Sequence, residues 1–273
     1  METNNDEKQA DTEIPKVSSN KMLEAFVTLI TEDSFTIAVD VLLYSIHITG
    51  TERDVVVMST PQVSELRKNA WRQKEKVKVI EVDPIPNPST ESHVEGWINS
   101  GYTKLQLWNL TEYSKLVYID ADAIVMENID ELFEREVNFA AAPDLFPPDH
   151  FNAGVLVVKP DAAVFESMMS KINEVKSYDG GDTGFLNHHF NNWYSMPASA
   201  RLPFKYNAQR TLHWLTVNKN PGYWESIGSI KVLHFSSSPK PWETTKKGDT
   251  EMIWWEYYTL MQVSNLQSNL IKS

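Results

Sequence analysis

The sequence predicts an α/β protein with a mostly parallel central sheet flanked by helices. Short β-forming runs recur at Glu24–Ile30, Asp54–Met58, Val77–Val82 and Leu116–Ile119. Stretches of helical spacing alternate with them over short connections, the pattern of a doubly wound sheet. The fourth run is continuously apolar, which fits a strand buried on both faces. It ends in Asp120-Ala121-Asp122, and open α/β sheets bind ligands outside the carboxyl ends of their strands.

Residues 1–21 are polar and aperiodic and are expected to be disordered; residues 22–273 are read as a single domain. After the first strand, Thr31-Glu32-Asp33-Ser34 offers N-caps for a helix from Phe35 to Ile48, which Gly50 ends. A charged amphipathic helix is expected over Pro61–Lys74 between the second and third strands. Three prolines lie between Asp83 and Pro88 and preclude regular structure, so Asp83–Ser100 is read as a mobile loop. Thr103–Leu110 is read as a helix feeding the Leu116 strand.

Beyond the aspartates, Asp130–Phe133 is a helical turn, and Phe139–Pro143 and Val155–Val158 are strands. Helices follow over Asp161–Val175 and Thr183–Phe190, the second with Asp182 as a potential N-cap. From Leu202 the chain reads as irregular and aromatic. A last strand, Ile230–Phe235, precedes a Ser- and Pro-rich segment ending at Trp242. Met252–Ile271 is an aromatic helix.

Composition removes several function classes. The formal charge of -12 disfavours nucleic acid, and no Lys/Arg-rich patch offsets it. With no cysteine, disulfides, thiolate metal sites and a Cys nucleophile are excluded. No stretch reaches the roughly 18 apolar residues of a membrane span, and the N-terminus lacks the apolar segment of a signal peptide. A cytoplasmic protein is expected, so the sequon at Asn109-Leu110-Thr111 is read as chance. Dinucleotide, P-loop and G-x-S-x-G signatures are all missing.

Two carboxylates one residue apart project to roughly one side of an extended chain. Burying both unpaired would cost several kcal/mol, so a cation between them is expected. Hard oxygen ligands suit Mn²⁺ or Mg²⁺. The competing reading is a solvated turn at a strand end.

Separated pieces of the chain together resemble glycogenin-like glycosyltransferase family 8. They are Phe26–Phe35, Thr60–Lys68, Lys104–Phe133, Ala141–Val157, Tyr178–Asn187, Leu202–Asn207 and His234–Trp242, in the family's order. The resemblance implies a GT-A nucleotide-sugar-binding fold and a retaining, Mn²⁺-dependent enzyme using a UDP-sugar, with Mg²⁺ as the alternative ion. It implies metal ligands at Asp120, Asp122 and His234, with Ala121 between the acids at the donor. Leu29, Thr31 and Phe35 would line the uracil and ribose pocket. Ser237 and Lys240 would meet the diphosphate, and Lys104 would sit by the donor sugar and phosphate. Asn152, Ala153, Asp182 and Thr183 would hold the sugar, with Asp179 nearer the reaction centre. A carboxylate nucleophile and same-face attack both remain open as routes to retention.

Several positions depart from the family pattern. Phe35 replaces a tyrosine, Glu32 an asparagine, and Thr183 a common glutamine, so the donor hexose could differ from glucose. Glycogenin glucosylates its own tyrosine seven residues after the Asn of its LPF-x-YN piece; here that position is Trp214, which has no hydroxyl. Trp214 is read as a stacking platform for an acceptor sugar, or else as a core residue. Galactose is the favoured hexose, glucose the next, and the acceptor a glycan on a cytosolic protein. The subgroup indicated is the protist enzymes that add α-linked galactose to the hydroxyproline-linked glycan of the SCF ubiquitin-ligase adaptor. It rests on the missing acceptor tyrosine, the short chain and the cytosolic composition. A homodimer is implied by resemblance to glycogenin. The rival readings are a primer that glucosylates itself elsewhere, such as at Tyr206 or Tyr223, a galactinol-synthase-like transferase acting on a polyol, and an inactive UDP-sugar-binding scaffold.

Overall fold

The computed structural model describes residues 23–88, 101–145, 147, 149–246 and 248–272. The N-terminus expected to be disordered lies outside these residues, as does the loop from 89 to 100.

The main sheet has six strands in the order β3-β2-β1-β4-β7-β6. They are β1 (Leu23–Ile30), β2 (Asp54–Ser59), β3 (Val77–Glu81), β4 (Tyr113–Ile119), β6 (Phe139–Pro143) and β7 (Phe151–Val158). The four from β3 to β4 are parallel. β7 runs antiparallel to both β4 and β6, so the sheet is mixed with a mostly parallel centre. Adjacent residues of β4 feed opposite sides, as the period of a strand requires: Leu116 and Tyr118 enter one core, Val117 and Ile119 the other. The second core is closed by α1 (Thr36–Ile48) and α2 (Glu65–Arg72); the first by α3 (Ala162–Lys171), α4 (Asp182–His189) and a 3₁₀ segment, Thr103–Asn109.

Of a second, three-stranded sheet, the sequence reading caught only the strand at Ile230–Phe235, observed as Val232–His234. Here β5 (Ala123–Val125) pairs antiparallel with β9 (Val232–His234), and β8 (Ala208–Gln209) pairs parallel with β9. The C-terminal helix α7 (Asp249–Lys272) packs Trp254 and Met261 on this sheet and on Val41 of α1.

Several sequence expectations need correction. Thr103–Leu110 is not an α-helix: it forms tight 3₁₀ turns with Thr103 to Trp108 all buried. Within the expected mobile loop, residues 83–88 are tied down. Ile85 N–H donates to Thr103 Oγ1 and Asn87 Nδ2 to Gly180 O. The region after Leu202 is not wholly irregular; it holds α5 (Arg210–Thr216) and α6 (Pro221–Ser226). Asp161 does cap α3, accepting from Ala163 and Val164 N–H. Asp182 does not cap α4: Gly181 takes that place without a side-chain bond. Among the described residues, no helix is long and apolar enough to cross a membrane.

Candidate active site

Three backbone ends meet at the carboxyl end of β4. Asp120 N–H donates to Gly154 O of β7, and Ala123 N–H donates back to Asp120 O, closing a tight turn across the D-x-D. The segment is therefore not extended, yet both carboxylates converge on one imidazole. Pairing of β5 with β9 sets His234 opposite Ala123, and Phe235 N–H donates to Asp122 O. His234 Nε2 lies 3.3 Å from Asp122 Oδ1 and 3.8 Å from Asp120 Oδ2.

Two lysines balance the acids. Lys104 Nζ is 3.1 Å from Asp120 Oδ1 and 2.5 Å from Asp182 Oδ2, and it donates to Ala153 O. Lys240 Nζ pairs with Asp122 Oδ2 and donates to Phe235 O. Tyr118, two residues before Asp120 on the same face of β4, donates its hydroxyl to Asp120 Oδ1 at 2.6 Å.

This crowding shows in the protonation equilibria. Burial alone would push the Asp122 carboxyl up, but the Lys240 ammonium beside it holds it well below the usual carboxylate range. Burial opposes charge on Lys104 as well, but Asp120 and Asp182 overcome it and keep the ammonium protonated beyond its ordinary range. Burial raises Asp182, with Lys104 opposing and Asp120 adding to the rise. Asp182 Oδ2 makes no well-aligned hydrogen bond despite its short contact with Lys104. One ammonium thus serves two carboxylates, leaving the pocket short of positive charge and of donors.

Asp120, Asp122 and His234 each offer one ligand atom, all within 4.8 Å of one another. Two carboxylates and an imidazole form a donor set that fits Mn²⁺ or Mg²⁺, with coordination positions left over for substrate oxygens.

The other expected site residues divide. Lys104, Asp182, Ala153 and Lys240 join this network directly. Asn152 sits beside it, its Oδ1 accepting from Gly154 N–H at 2.9 Å, so that oxygen is engaged with the protein. Asp179 is held in its loop: Oδ1 accepts from Ser177 Oγ and from Gly181 and Gly184 N–H. Thr183 is half-buried and gives its carbonyl to Asn187 Nδ2. Ser237 gives both its carbonyl and its hydroxyl to Arg210 Nη2. Ala121 is buried in the second core. Leu29 packs on the first core, and Thr31 O accepts from Thr60 Oγ1. The Phe35 ring meets Trp242 edge-on at 5.7 Å.

Trp214 is 46% exposed, which removes the core reading. The Arg210 guanidinium lies 4.2 Å from the Trp214 ring centre. Both line a groove of about 250 Å³ with Pro239, Thr244, Lys246, Gly248 and Glu251. Arg210 also donates to Pro239 O, the residue before Lys240, so the groove backs onto the loop that carries the Asp122 lysine. Tyr206, one candidate self-acceptor, is buried with its hydroxyl donated to Glu131 Oε1 at 2.8 Å.

Sequence reasoning missed Tyr118, Gly154, Asn207 and Arg210. Tyr118 carried a signal, the two-residue spacing to Asp120 on a strand. Asn207 closed a recognised segment without being assigned a role. Gly154 lay inside the recognised Ala141–Val157 piece without being assigned a role, and Arg210 carried no signal, since its partners Ser237, Pro239 and Glu251 are distant in the chain.

Comparison with known proteins gives the following. The profile of Glycosyl transferase family 8 matches residues 26–246. Glycogenin-1 of Oryctolagus cuniculus is 35% identical over 266 residues, covering 89% of this chain and 78% of that protein. Inositol phosphorylceramide glucuronosyltransferase 1 of Arabidopsis thaliana is 33% identical over 271 residues, covering 91% of this chain and 46% of that protein. Among solved structures, the galactosyltransferase LgtC in complex with donor and acceptor sugar analogues superposes with a TM-score of 0.65 at 18% identity, covering 86% and 95% of the two chains. At that identity the likeness shows the fold alone, which is α/β and GT-A-like.

Proposed function

The chain belongs to glycosyl transferase family 8, and on that premise we propose that it is a retaining, metal-dependent transferase. It moves a hexose from a UDP-sugar to a glycan on a protein acceptor. The observation that carries the reading is the meeting of Asp120, Asp122 and His234 with Lys104 and Lys240 at the end of β4. A divalent ion held by the first three would stabilise the diphosphate as the bond to the sugar breaks.

The chain's own groups account for the rest. Lys240 and Lys104 place two ammonium charges where phosphate charge develops. Phe35, braced by Trp242, offers its ring to the uracil. Asp182, held by Lys104, is assigned to the donor sugar together with Asn152 and Thr183. The commitment of Asp179 Oδ1 to three loop donors favours same-face attack, in which the departing diphosphate takes the acceptor's proton. The exposed Trp214 ring is the platform for the acceptor. Galactose is the favoured hexose, and Mn²⁺ the favoured ion. The SCF adaptor glycan, cytoplasmic location and a homodimer complete the proposal.

A panel of UDP-sugars incubated with the protein and Mn²⁺ tests it. UDP-galactose should be hydrolysed fastest and UDP-glucose next, with no label on the protein itself. Label on the protein would establish a self-glucosylating primer instead; both donors inert beside another active sugar would overturn the hexose assignment.

A further inference from the structure

Neutral histidine carries its proton on either ring nitrogen, and the hydrogen bond made by one nitrogen decides what the other can bind. His234 faces Asp122 and Asp120 through Nε2. Its Nδ1 faces Asn207 Oδ1 at 2.8 Å.

The proton's position follows from a fixed reference. Gly154 N–H is a backbone group that can only donate, so the Asn152 atom 2.9 Å from it is the carbonyl oxygen. That oxygen can only accept, so Asn207 presents its amide nitrogen to it, also at 2.9 Å. The opposite end of the Asn207 amide is then oxygen, and oxygen toward Nδ1 requires Nδ1–H. Nε2 is left with its lone pair facing the carboxylates.

The fold supports this series. Parallel pairing of β8 with β9 sets Gln209 opposite His234, which brings the fully buried Asn207 alongside the ring. A Cβ on residue 154 would lie 2.3 Å from His234 Cε1, 2.5 Å from Nδ1 and 2.9 Å from Asn152 Oδ1. Only glycine leaves room for the imidazole and the amide to lie against this strand.

We propose that Asn207 and Asn152, anchored on Gly154 N–H, are positioning residues that hold His234 as its Nδ1–H tautomer and so offer Nε2 to a divalent cation. This rests on the assignment of Asp120, Asp122 and His234 as the metal centre. It gives Asn152 an indirect role besides the one proposed for it at the donor sugar.

Two measurements test the proposal without turnover. The first is the long-range ¹H–¹⁵N spectrum of the metal-free native protein at about pH 9, where an ordinary imidazole is neutral. His234 should show the Nδ1–H tautomer; an Nε2–H tautomer or a mixture overturns the proposal. The second is Mn²⁺ titration by calorimetry with UDP present, where Asn207→Ala should weaken binding by about 10–100-fold. Asn207→Asp keeps an acceptor against Nδ1 and should retain the tautomer. Native-like Mn²⁺ affinity in Asn207→Ala would also overturn the proposal. If the native protein binds no Mn²⁺ yet shows the Nδ1–H tautomer, the metal assignment fails while the tautomer lock stands.

Discussion

The carboxylate centre and the Trp214 groove lie on either side of one loop and differ in how much of their working surface is open to solvent. The centre is buried and ionic: Asp122, His234 and Lys104 are each less than 10% exposed, and each charge is paired with at least one other. The groove has a buried Arg210–Glu251 ion pair in its wall but is open at the Trp214 ring, about half of which is in solvent. Buried charges depend on one another, so changing one strands its partners. An exposed ring makes few obligatory contacts and can be exchanged at little cost to folding. On the proposed function, the difference would put the donor chemistry in the centre and the choice of acceptor in the groove.

Disabling the centre should give the largest effect. Asp122→Ala removes a proposed metal ligand and strands Lys240 and His234. Several kcal/mol of leaving-group stabilisation correspond to a fall of about a thousandfold in UDP-sugar hydrolysis, read by UDP release. Lys104→Ala comes next, because it leaves Asp120 and Asp182 without their shared ammonium. A loss of about 3 kcal/mol is expected, and with it a melting temperature lower by about 10 °C. A native melting temperature would show that the centre is less interdependent than its geometry implies.

The groove should respond more gently. Trp214→Ala removes a stacking face of about 0.5–1.5 kcal/mol and should raise the acceptor KM by up to about tenfold, with a smaller effect on the donor KM. A larger donor effect would erase the division between the two regions.

Tyr206 gives the smallest effect. Burial, then the bond to Glu131, pushes its hydroxyl up to about 12 from an ordinary 10.0. A raised folded value means that its stabilisation is complete below pH 10 and is lost as pH rises toward 12. Tyr206→Phe should flatten that alkaline loss in thermal melts, cost about 1 kcal/mol at neutral pH, and leave transfer intact. Loss of all transfer would return Tyr206 to consideration as an acceptor.

How far the sequence could be read follows the same contrast. The parallel strands β1, β2 and β4 carry apolar runs long enough to show a pattern, and the Asp pair stands at the end of one of them. β5 and β8 have three and two residues, too few for any period, so only β9 of the sheet that positions His234 was legible, as the expected strand Ile230–Phe235. Thr103–Leu110 was read as a helix. Thr103 to Trp108 are buried whether polar or apolar, so no exposed face sets a period that could distinguish 3₁₀ from α. The short helices α5 and α6 are held by ring contacts, such as His213 with Trp224 at 5.0 Å and Phe204 with Trp224 at 5.9 Å. Such contacts between distant positions override local propensity. Asp182 looked like a cap because its true partner, Lys104, belongs to another part of the chain.

The central claim is that Asp120, Asp122 and His234 hold a divalent ion that the donor reaction requires. The most direct test strips the protein with EDTA and follows UDP-galactose hydrolysis while Mn²⁺ is titrated back. Activity should be absent at the start and should return saturably in the native protein, but not in Asp122→Ala or His234→Ala. Equal rates with and without Mn²⁺, or full restoration in either variant, would contradict it.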